Sequence, residues 1–462
     1  MSDYQLIVIG AGPGGYVAAL RAAKLGLHVA VVENRETGGT CLNRGCIPTK
    51  TLLHSSQIFH DISTGRHAGI TAQSVQVDME AIFAHKRQVS EQLAGGIEAM
   101  FKSSKVELLR GIGTITAPNT VQVAGAEGTR TYTADDILVA TGSVPVRPPI
   151  PGLDLPGVMT SDELLEGSDH LYRSIVIIGG GVIGVEFATF YNDLGCDVTV
   201  IEGMNRLLPL LDRELGQNLG QILKKRGVKV LTNAMVDHVE QSEDGLTVHY
   251  TDKKGAGTVS GEKVLCAIGR KPYLDGLFAP ELAPELDGHS IRVDERYQTS
   301  IPHVYAIGDV SSKVQLAHMA SAQGTAFAEL LCGGQSDVDM NVVPSCIYSR
   351  PEIAVVGLSE QEAKEAGIPA KSGKCVLGGN ARTVIIEGDR CLMKVVARTD
   401  NHQIIGAQLM CEHSTDMISE LAQAIANHLT AEQVLRAMRP HPTFEEALTD
   451  ALENLLEKLN NN

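Results

Sequence analysis

The sequence predicts an α/β protein with two parallel-strand units of the same design and a separate α+β domain behind them. A strand, glycine turn, helix and strand occur twice, at residues 5–33 and 174–202, and the same offset separates Gly10 from Gly179 and Glu33 from Glu202. Beyond about Val342 strand-like runs alternate with helical stretches, which is typical of an α+β domain. These runs are Ile353–Val356, Leu392–Ala397 and Ile404–Leu409.

Each copy has the sequence features of a Rossmann-like dinucleotide-binding unit. A buried apolar strand runs into G-x-G-x-x-G, a helix follows, and the next strand ends on an acidic residue. Glycine permits the tight turn and the close approach of a pyrophosphate to the helix N-terminus, and the carboxylate accepts hydrogen bonds from ribose hydroxyls. Close packing of strand and helix alone is the alternative explanation. The residues concerned are Gly10, Gly12, Gly15 and Glu33, then Gly179, Gly181, Gly184 and Glu202.

The segments between and after these units read as connections and further strands. Proline is dense in Val144–Val158, which marks a boundary. Short buried strands ending on glycine turns are predicted at Asp136–Ser143, Val264–Arg270 and Val304–Asp309, and a loop at Gly255–Thr258.

Composition limits the possible partners. Lys and Arg number 39 against 55 Asp and Glu, a net charge of −16, which disfavours nucleic acid and anionic membranes. Nine scattered cysteines fit a reducing compartment. No basic leader opens the chain, and no apolar run reaches the roughly 18 residues of a membrane span. A cytoplasmic protein without nucleic-acid or membrane partners is expected.

Two cysteines lie close together in GGTCLNRGCIPTK, residues 38–50. Five residues of regular helix rise about 7.5 Å, more than the roughly 6.8 Å between Cα atoms that a disulfide tolerates. A bond between Cys41 and Cys46 therefore requires a distorted turn, for which Gly45 and Pro48 are suited. Two unbonded cysteines acting as small apolar residues are the alternative.

Taken together, these motifs resemble those of the pyridine nucleotide–disulfide oxidoreductases, and most closely the branch that oxidises dihydrolipoamide. The resemblance covers essentially the whole chain. It is carried by GAGPGG at Gly10, GGTCLNRGCIPTK at Gly38, ATGS at Ala140, GGGVIGVE at Gly179, AIGR at Ala267, AIGD at Ala306, LAH at Leu316 and HPTFEE at His441.

The resemblance implies four domains and a homodimer with an active site across its interface. The implied domains are an FAD-binding domain (1–146), an NAD-binding domain (147–271), a central domain that completes the FAD site (272–341) and a C-terminal dimerisation domain (342–462).

The resemblance also implies which residues bind the two cofactors, and it assigns no metal ligand. FAD would be held by Gly10, Gly12, Gly15, Glu33, Thr40, Lys50, Gly113, Thr141, Gly142, Ser143, Asp309 and Ala317. Further cofactor-binding positions are Gly14, Gly39, Gly179, Gly181, Val182, Ile183, Gly184, Glu186, Val236, Gly269, Arg270, Gly308, Leu316 and His318. Glu202 would repel a 2′-phosphate and has only Arg206 as a nearby cation, which favours NAD over NADP.

Six catalytic residues follow from the same resemblance. Cys41 and Cys46 would form the redox-active disulfide, and Lys50 would lie near the flavin in an ion pair with Glu186. His441 would be the base and Glu446 would orient it, although Thr443 and Glu446 also fit a capping box for the last helix.

The implied reaction is oxidation of protein-bound dihydrolipoamide by NAD through the disulfide and FAD. Its partner would be a lipoyl-bearing acyltransferase of 2-oxo acid dehydrogenase complexes or a lipoyl carrier protein of glycine cleavage. Met319 and Arg350 stand where lysine and histidine are frequent in that branch, so partner preference stays open. Another NAD(P)H-dependent flavoprotein disulfide reductase and a non-catalytic scaffold subunit are the alternatives.

Overall fold

The first unit is built on a mostly parallel sheet. The computed structural model describes residues 2–243 and 245–461, without the side chains of residues 66 and 67. The elements are β1 (Tyr4–Ile9), α1 (Pro13–Lys24), β2 (Val29–Glu33), α2 (Gly39–Arg44), α3 (Cys46–Thr64), α4 (Met79–Ser103), β3 (Glu107–Arg110), β4 (Ile112–Ala117), β5 (Thr120–Gly125), β6 (Gly128–Val139) and β7 (Ser143–Pro145).

Strand order in this sheet is β3-β2-β1-β6, with β5 and β4 continuing it as an antiparallel extension. The first half of β6 pairs antiparallel with β5 and its second half parallel with β1. Because β1 and β2 are apolar throughout except at Gln5 and Glu33, they are buried on both faces, as central parallel strands require.

The second unit repeats the parallel core and adds a small antiparallel sheet. Its elements are β8 (Val158–Met159), α5 (Ser161–Leu164), β9 (Ser174–Ile178), α6 (Val182–Asp193), β10 (Asp197–Glu202), α7 (Arg213–Lys225), β11 (Lys229–Thr232), β12 (Met235–Ser242), β13 (Gly245–Asp252), β14 (Gly255–Gly261), β15 (Lys263–Cys266) and β16 (Arg270–Pro272). The core order is β11-β10-β9-β15-β8, and the added sheet is β12-β13-β14.

The predicted loop at Gly255–Thr258 is wrong, because these residues begin β14 and pair with β13. Glycine has a packing role here. A Cβ at Gly257 would lie 2.7 Å from the ring of Tyr250, its cross-strand partner, so the glycine leaves room for the aromatic ring to lie across the strand.

Residues between the second unit and the C-terminal domain complete the first sheet. The elements are β17 (Leu286–Asp287), β18 (Ser290–Ile291), β19 (Val304–Ala306) and α8 (Ala317–Leu331). Strand β19 pairs parallel with β6, and α8 packs against α1. The close approach of the helices needs small residues, since a Cβ at Gly14 would lie 3.3 Å from the carbonyl oxygen of Ala320.

The C-terminal domain is an α+β layer structure. Its elements are β20 (Ser345–Ile347), β21 (Ile353–Gly357), α9 (Glu360–Glu365), β22 (Ala370–Val376), α10 (Ala381–Ile385), β23 (Leu392–Arg398), β24 (Ile404–Met410), α11 (Ser414–Ala426), α12 (Ala431–Val434) and α13 (Glu446–Asn460). The antiparallel order is β20-β21-β24-β23-β22, and α11 and α13 pack against it.

The predicted fold class and the three predicted C-terminal strands are confirmed, while the four domain boundaries stay predictions. None of the helices in the described ranges combines the length and apolar character needed to cross a bilayer.

Candidate functional site

A cavity of about 1740 Å³ connects the two glycine turns. Most residues predicted to bind cofactor line it. They are Gly10, Gly12, Gly14, Glu33, Gly39, Thr40, Lys50, Thr141, Gly142, Ser143, Gly179, Gly181, Val182, Ile183, Glu186, Glu202, Val236, Gly269, Arg270, Gly308, Asp309, Leu316, Ala317 and His318. Cys41 and Cys46 open onto the same cavity.

The first and third glycines of each motif are required by the fold. Gly10 and Gly179 have φ of +106° and +109°, a region that favours glycine. A Cβ on Gly15 would overlap the carbonyl oxygen of Gly10, and a Cβ on Gly184 would overlap that of Gly179. Gly15 and Gly184 therefore allow close packing of helix on strand and do not line the cavity.

The second glycine is not required by packing. Apart from its chain neighbours, a Cβ on Gly12 would come no closer to another residue than 3.9 Å, and a Cβ on Gly181 would meet no other residue within 4 Å. Gly12 and Gly181 precede the first residues of α1 and α6 and line the cavity, so both Cβ atoms would lie beside the free N–H groups at the helix N-terminus. Packing alone thus explains the first and third glycines, while the second fits a bound pyrophosphate.

Paired glycine substitutions separate these two roles. Gly184→Ala should lower the free energy of unfolding by about 1–3 kcal/mol, because its methyl group overlaps backbone. Gly181→Ala should change it by less than about 0.5 kcal/mol. Thermal denaturation measures both. Equal destabilisation by the two substitutions would contradict the assignment of open space to Gly181.

The strand-end acids make the same contacts in both units. Glu33 accepts hydrogen bonds from the backbone N–H groups of Ala11 and Arg35, both at 2.8 Å. Glu202 accepts them from Gly180 at 2.7 Å and Met204 at 2.6 Å. Each carboxylate therefore fixes its glycine turn while it lines the cavity.

The cysteine pair lies at a break between two helices. Helix α2 ends at Arg44, Gly45 follows with φ −152° and ψ −112°, and Cys46 begins α3. The predicted distortion is confirmed, and Pro48 lies just beyond the break. It lies in the first turn of α3, where its missing N–H leaves no hydrogen bond broken.

Cys41 and Cys46 are unbonded and their thiols contact each other. The hydrogen bond from Cys41 lowers the pKa of Cys46, and the nearby charge of Lys50 lowers it further, against the effect of burial. The same contact raises the pKa of Cys41. The surroundings therefore favour the thiolate on Cys46 over the thiolate on Cys41.

Lys50 is held beside the pair by a bidentate ion pair. Its Nζ lies 2.8 Å from both carboxylate oxygens of Glu186, which is 3% exposed. Burial opposes the charge of Lys50, but Glu186 outweighs it and raises the pKa of the lysine. Tyr348 contributes twice, since its ring lies 4.6 Å from Nζ and its N–H donates to Glu186 at 3.1 Å. Sequence reasoning missed Tyr348, which no local motif marks.

A second polar group lies where residues from three parts of the chain meet. Ser143 donates to Asp309 at 2.6 Å, and Arg270 donates to Ser143 Oγ at 2.9 Å. Burial raises the pKa of Asp309, while Ser143 and Arg270 act against that shift. His318 also lines the cavity, with its Nε2 2.8 Å from the carbonyl oxygen of Pro344.

His441 and Glu446 lie outside this cavity within the chain. Nδ1 of His441 is 2.7 Å from Glu446 Oε1, and the histidine side chain is 73% exposed. The other oxygen of Glu446 accepts from the N–H of Thr443 at 3.0 Å, and these contacts, the backbone one first, lower the pKa of Glu446. The full capping box does not form, because the Thr443 hydroxyl donates to Pro440 instead. Gly113 also lies outside the cavity, and a Cβ on it would lie 3.0 Å from the side chain of Val32.

Two family models match the chain. Residues 4–324 match the pyridine nucleotide-disulphide oxidoreductase model, and residues 343–452 match the dimerisation domain of the same family. Dihydrolipoyl dehydrogenase of Geobacillus stearothermophilus is 37% identical over 457 residues, covering 98% of this chain and 96% of the relative. Dihydrolipoyl dehydrogenase of Bacillus subtilis is 36% identical over 458 residues, with the same coverage.

Solved structures agree over the whole fold. LpdA from Mycobacterium tuberculosis superposes with a TM-score of 0.89 at 28% identity, covering 98% of this chain and 99% of that one. The HOCl-induced flavoprotein disulfide reductase RclA of Escherichia coli superposes with a TM-score of 0.85 at 28% identity and the same coverage. The predicted family is confirmed: this chain is an oxidoreductase of the pyridine nucleotide-disulphide oxidoreductase family, whose cofactors are FAD and NAD, and it carries that family's dimerisation domain.

Proposed function

We propose that this chain is a dihydrolipoyl dehydrogenase, which oxidises protein-bound dihydrolipoamide to lipoamide and reduces NAD⁺ to NADH. The observation that carries the proposal is the Cys41–Cys46 pair at a helix break, opening onto one cavity with both glycine turns. Full-length relatives of that activity, at 34–37% identity, support it. We place the enzyme in the cytoplasm with a lipoyl-bearing acyltransferase or a lipoyl carrier protein as its partner.

In this proposal each glycine turn would hold one of the two dinucleotides. The first turn, with Glu33, would hold the FAD pyrophosphate and adenosine ribose, and Ser143, Asp309 and the start of α8 would hold the rest. The second turn, with Glu202, would hold NAD. FAD, when bound, takes two electrons from the dithiol and delivers them as hydride to the nicotinamide.

The protein's own groups carry the thiol chemistry. A substrate thiol with a pKa near about 8.5 must lose its proton before it attacks a disulfide. His441 of the partner subunit would take that proton. The thiolate then attacks Cys41 Sγ, breaks the Cys41–Cys46 bond and leaves Cys46 as thiolate. The second substrate thiol, once deprotonated, attacks the substrate sulfur of the mixed disulfide, which closes the lipoyl disulfide and releases Cys41.

Lys50 and Glu186 stabilise the thiolate that this exchange leaves on Cys46. The ammonium of Lys50 stabilises the Cys46 thiolate electrostatically and thus favours the reduced dithiol. Glu186 and the Tyr348 ring fix that ammonium in place, so its charge is available without reorganisation.

Glu202 supports NAD as the nucleotide, and substitution of the two strand-end acids tests this. Glu202→Gln removes a charge-assisted hydrogen bond, so KM for NAD should rise about tenfold or more, with FAD content unchanged. Glu33→Gln is the matched control, because it removes the equivalent group from the other unit. It should weaken FAD retention and leave KM for NAD unchanged in the FAD-loaded fraction. Steady-state kinetics and FAD absorbance measure the two effects, and a raised KM in Glu33→Gln alone would contradict the assignment.

Substrate assays separate the proposal from its alternatives. Initial rates are compared for free dihydrolipoamide with NAD or NADP and for glutathione disulfide with NADH or NADPH. Turnover of dihydrolipoamide with NAD is expected. Turnover of glutathione disulfide with NADPH alone would instead indicate a disulfide reductase, and a protein that binds no FAD would indicate a scaffold.

A further inference from the structure

Two histidines and a glutamate meet on the outer face of the antiparallel sheet in the second unit. Strand β12 carries His238 and Glu240, and His249 on β13 is the cross-strand partner of His238. The register shifts between Val236 and His238, so Asp237 forms a bulge. Because the bulge adds one residue, His238 lies on the face opposite Val236 despite their spacing of two.

The potential ligand atoms of these three residues lie close together. The two imidazole rings stack with centroids 4.1 Å apart at 12°, and His249 Nε2 lies 2.8 Å from Glu240 Oε1. One potential ligand atom from each residue lies within 4.8 Å of the other two. Because imidazole nitrogens bind a metal in the plane of the ring, an ion held at about 2.0–2.2 Å from each ligand requires one of the two stacked rings to rotate out of the stack. The face is open to solvent, with Glu240 56% and His249 28% exposed.

The chemistry of the three groups identifies the class of ligand. Two imidazoles and a carboxylate suit Zn²⁺, Cu²⁺ or Ni²⁺ and are too nitrogen-rich for Mg²⁺ or Ca²⁺. Within the described residues no other group of three His, Cys, Asp or Glu converges in this way. His170, for comparison, contacts Asp169 through Nδ1 and Glu262 through Nε2. The two carboxylates therefore lie at different ring nitrogens and do not converge on one ion position.

We propose that His238, Glu240 and His249 bind a divalent transition-metal ion, with water completing the coordination. The ion would replace the proton between His249 and Glu240 and tie β12 to β13. The site is separate from the proposed function, since none of its three residues lines the cavity. It revises the prediction from sequence that no residue of this chain is a metal ligand.

The test is a Zn²⁺ titration of the FAD-loaded enzyme by calorimetry. The Cys41–Cys46 pair is kept oxidised and the other accessible thiols are alkylated, so that thiolates do not compete. Wild type is compared with His238→Gln/His249→Gln, and His170→Gln is the matched control. We expect the double variant to lose one equivalent of Zn²⁺ per chain and the control to retain it. Equal stoichiometry in wild type and double variant would overturn the proposal, as would loss of the equivalent in the control.

A second measurement distinguishes loss of the metal site from misfolding of a variant. Saturating Zn²⁺ should raise the thermal midpoint of wild type and of the control, but not of the double variant or of Glu240→Gln. In metal-free buffer all four proteins should have the same FAD content and turnover. With Cu²⁺, the electron paramagnetic resonance spectrum of wild type should show coupling to two imidazole nitrogens. A spectrum identical in the double variant would contradict the assignment of these ligands.

Discussion

Cys46→Ser should lower dihydrolipoamide turnover by more than about a thousandfold while the protein keeps its FAD. The loss follows because a lone Cys41 cannot form the disulfide that accepts two electrons from the substrate. Serine is close to cysteine in size, so the break between α2 and α3 should persist. Steady-state assay with NAD measures the activity, and flavin absorbance measures the FAD.

The control for this substitution is Cys332→Ser, because Cys332 is exposed and does not line the cavity. That variant should retain wild-type turnover. Full activity in Cys46→Ser would contradict the proposed relay, since electrons would then reach the flavin without the pair.

His441→Gln should lower kcat for dihydrolipoamide about 10²- to 10⁴-fold at neutral pH, the usual range for loss of a general base. Reduction of the flavin by NADH should be unchanged, because that half-reaction involves no substrate thiol. Stopped-flow absorbance separates the two half-reactions. His289→Gln, an exposed histidine elsewhere, serves as the control and should behave as wild type. Slow reduction by NADH in His441→Gln would contradict a role limited to the substrate thiol.

Mixed dimers test where that base comes from. In a dimer of one Cys46→Ser subunit and one His441→Gln subunit, one site combines an intact cysteine pair with an intact histidine, provided that the site spans the interface. The isolated mixed dimer should have about half of wild-type activity, and a 1:1 mixture re-formed at random, in which half of the dimers are mixed, about a quarter. If each subunit used its own His441, the mixed dimer would remain inactive.

Much of the fold could be predicted from local sequence, because the backbone freedom of glycine and the spacing of apolar residues fix turns and strands within a few residues. The turns at Gly10 and Gly179 follow from positive φ, and the buried runs became strands close to their predicted bounds. The same local rules failed at Gly255–Thr258, where Gly257 provides space for the ring of Tyr250 on the neighbouring strand.

Contacts between distant segments could not be predicted from local sequence. Tyr348 reaches Lys50 only because the C-terminal domain packs against α3 and α6. Arg350, which departs from the lipoamide branch, ion-pairs with Asp61 at 3.3 Å and with the buried Asp193 at 3.4 Å. The His238–His249 pair depends on a one-residue register shift that the alternation of residue types does not reveal.

Absorbance during anaerobic two-electron reduction tests the proximity of the dithiol and the flavin most directly. If the Cys46 thiolate lies against the flavin, one equivalent of dihydrolipoamide should produce a long-wavelength charge-transfer band. Because the pKa of Cys46 is lowered, that band should persist at neutral pH and fade on acidification, as the thiolate takes up a proton. A spectrum that passes directly from oxidised to fully reduced flavin, without such a band at any pH, would contradict the proposed proximity of the dithiol and the flavin.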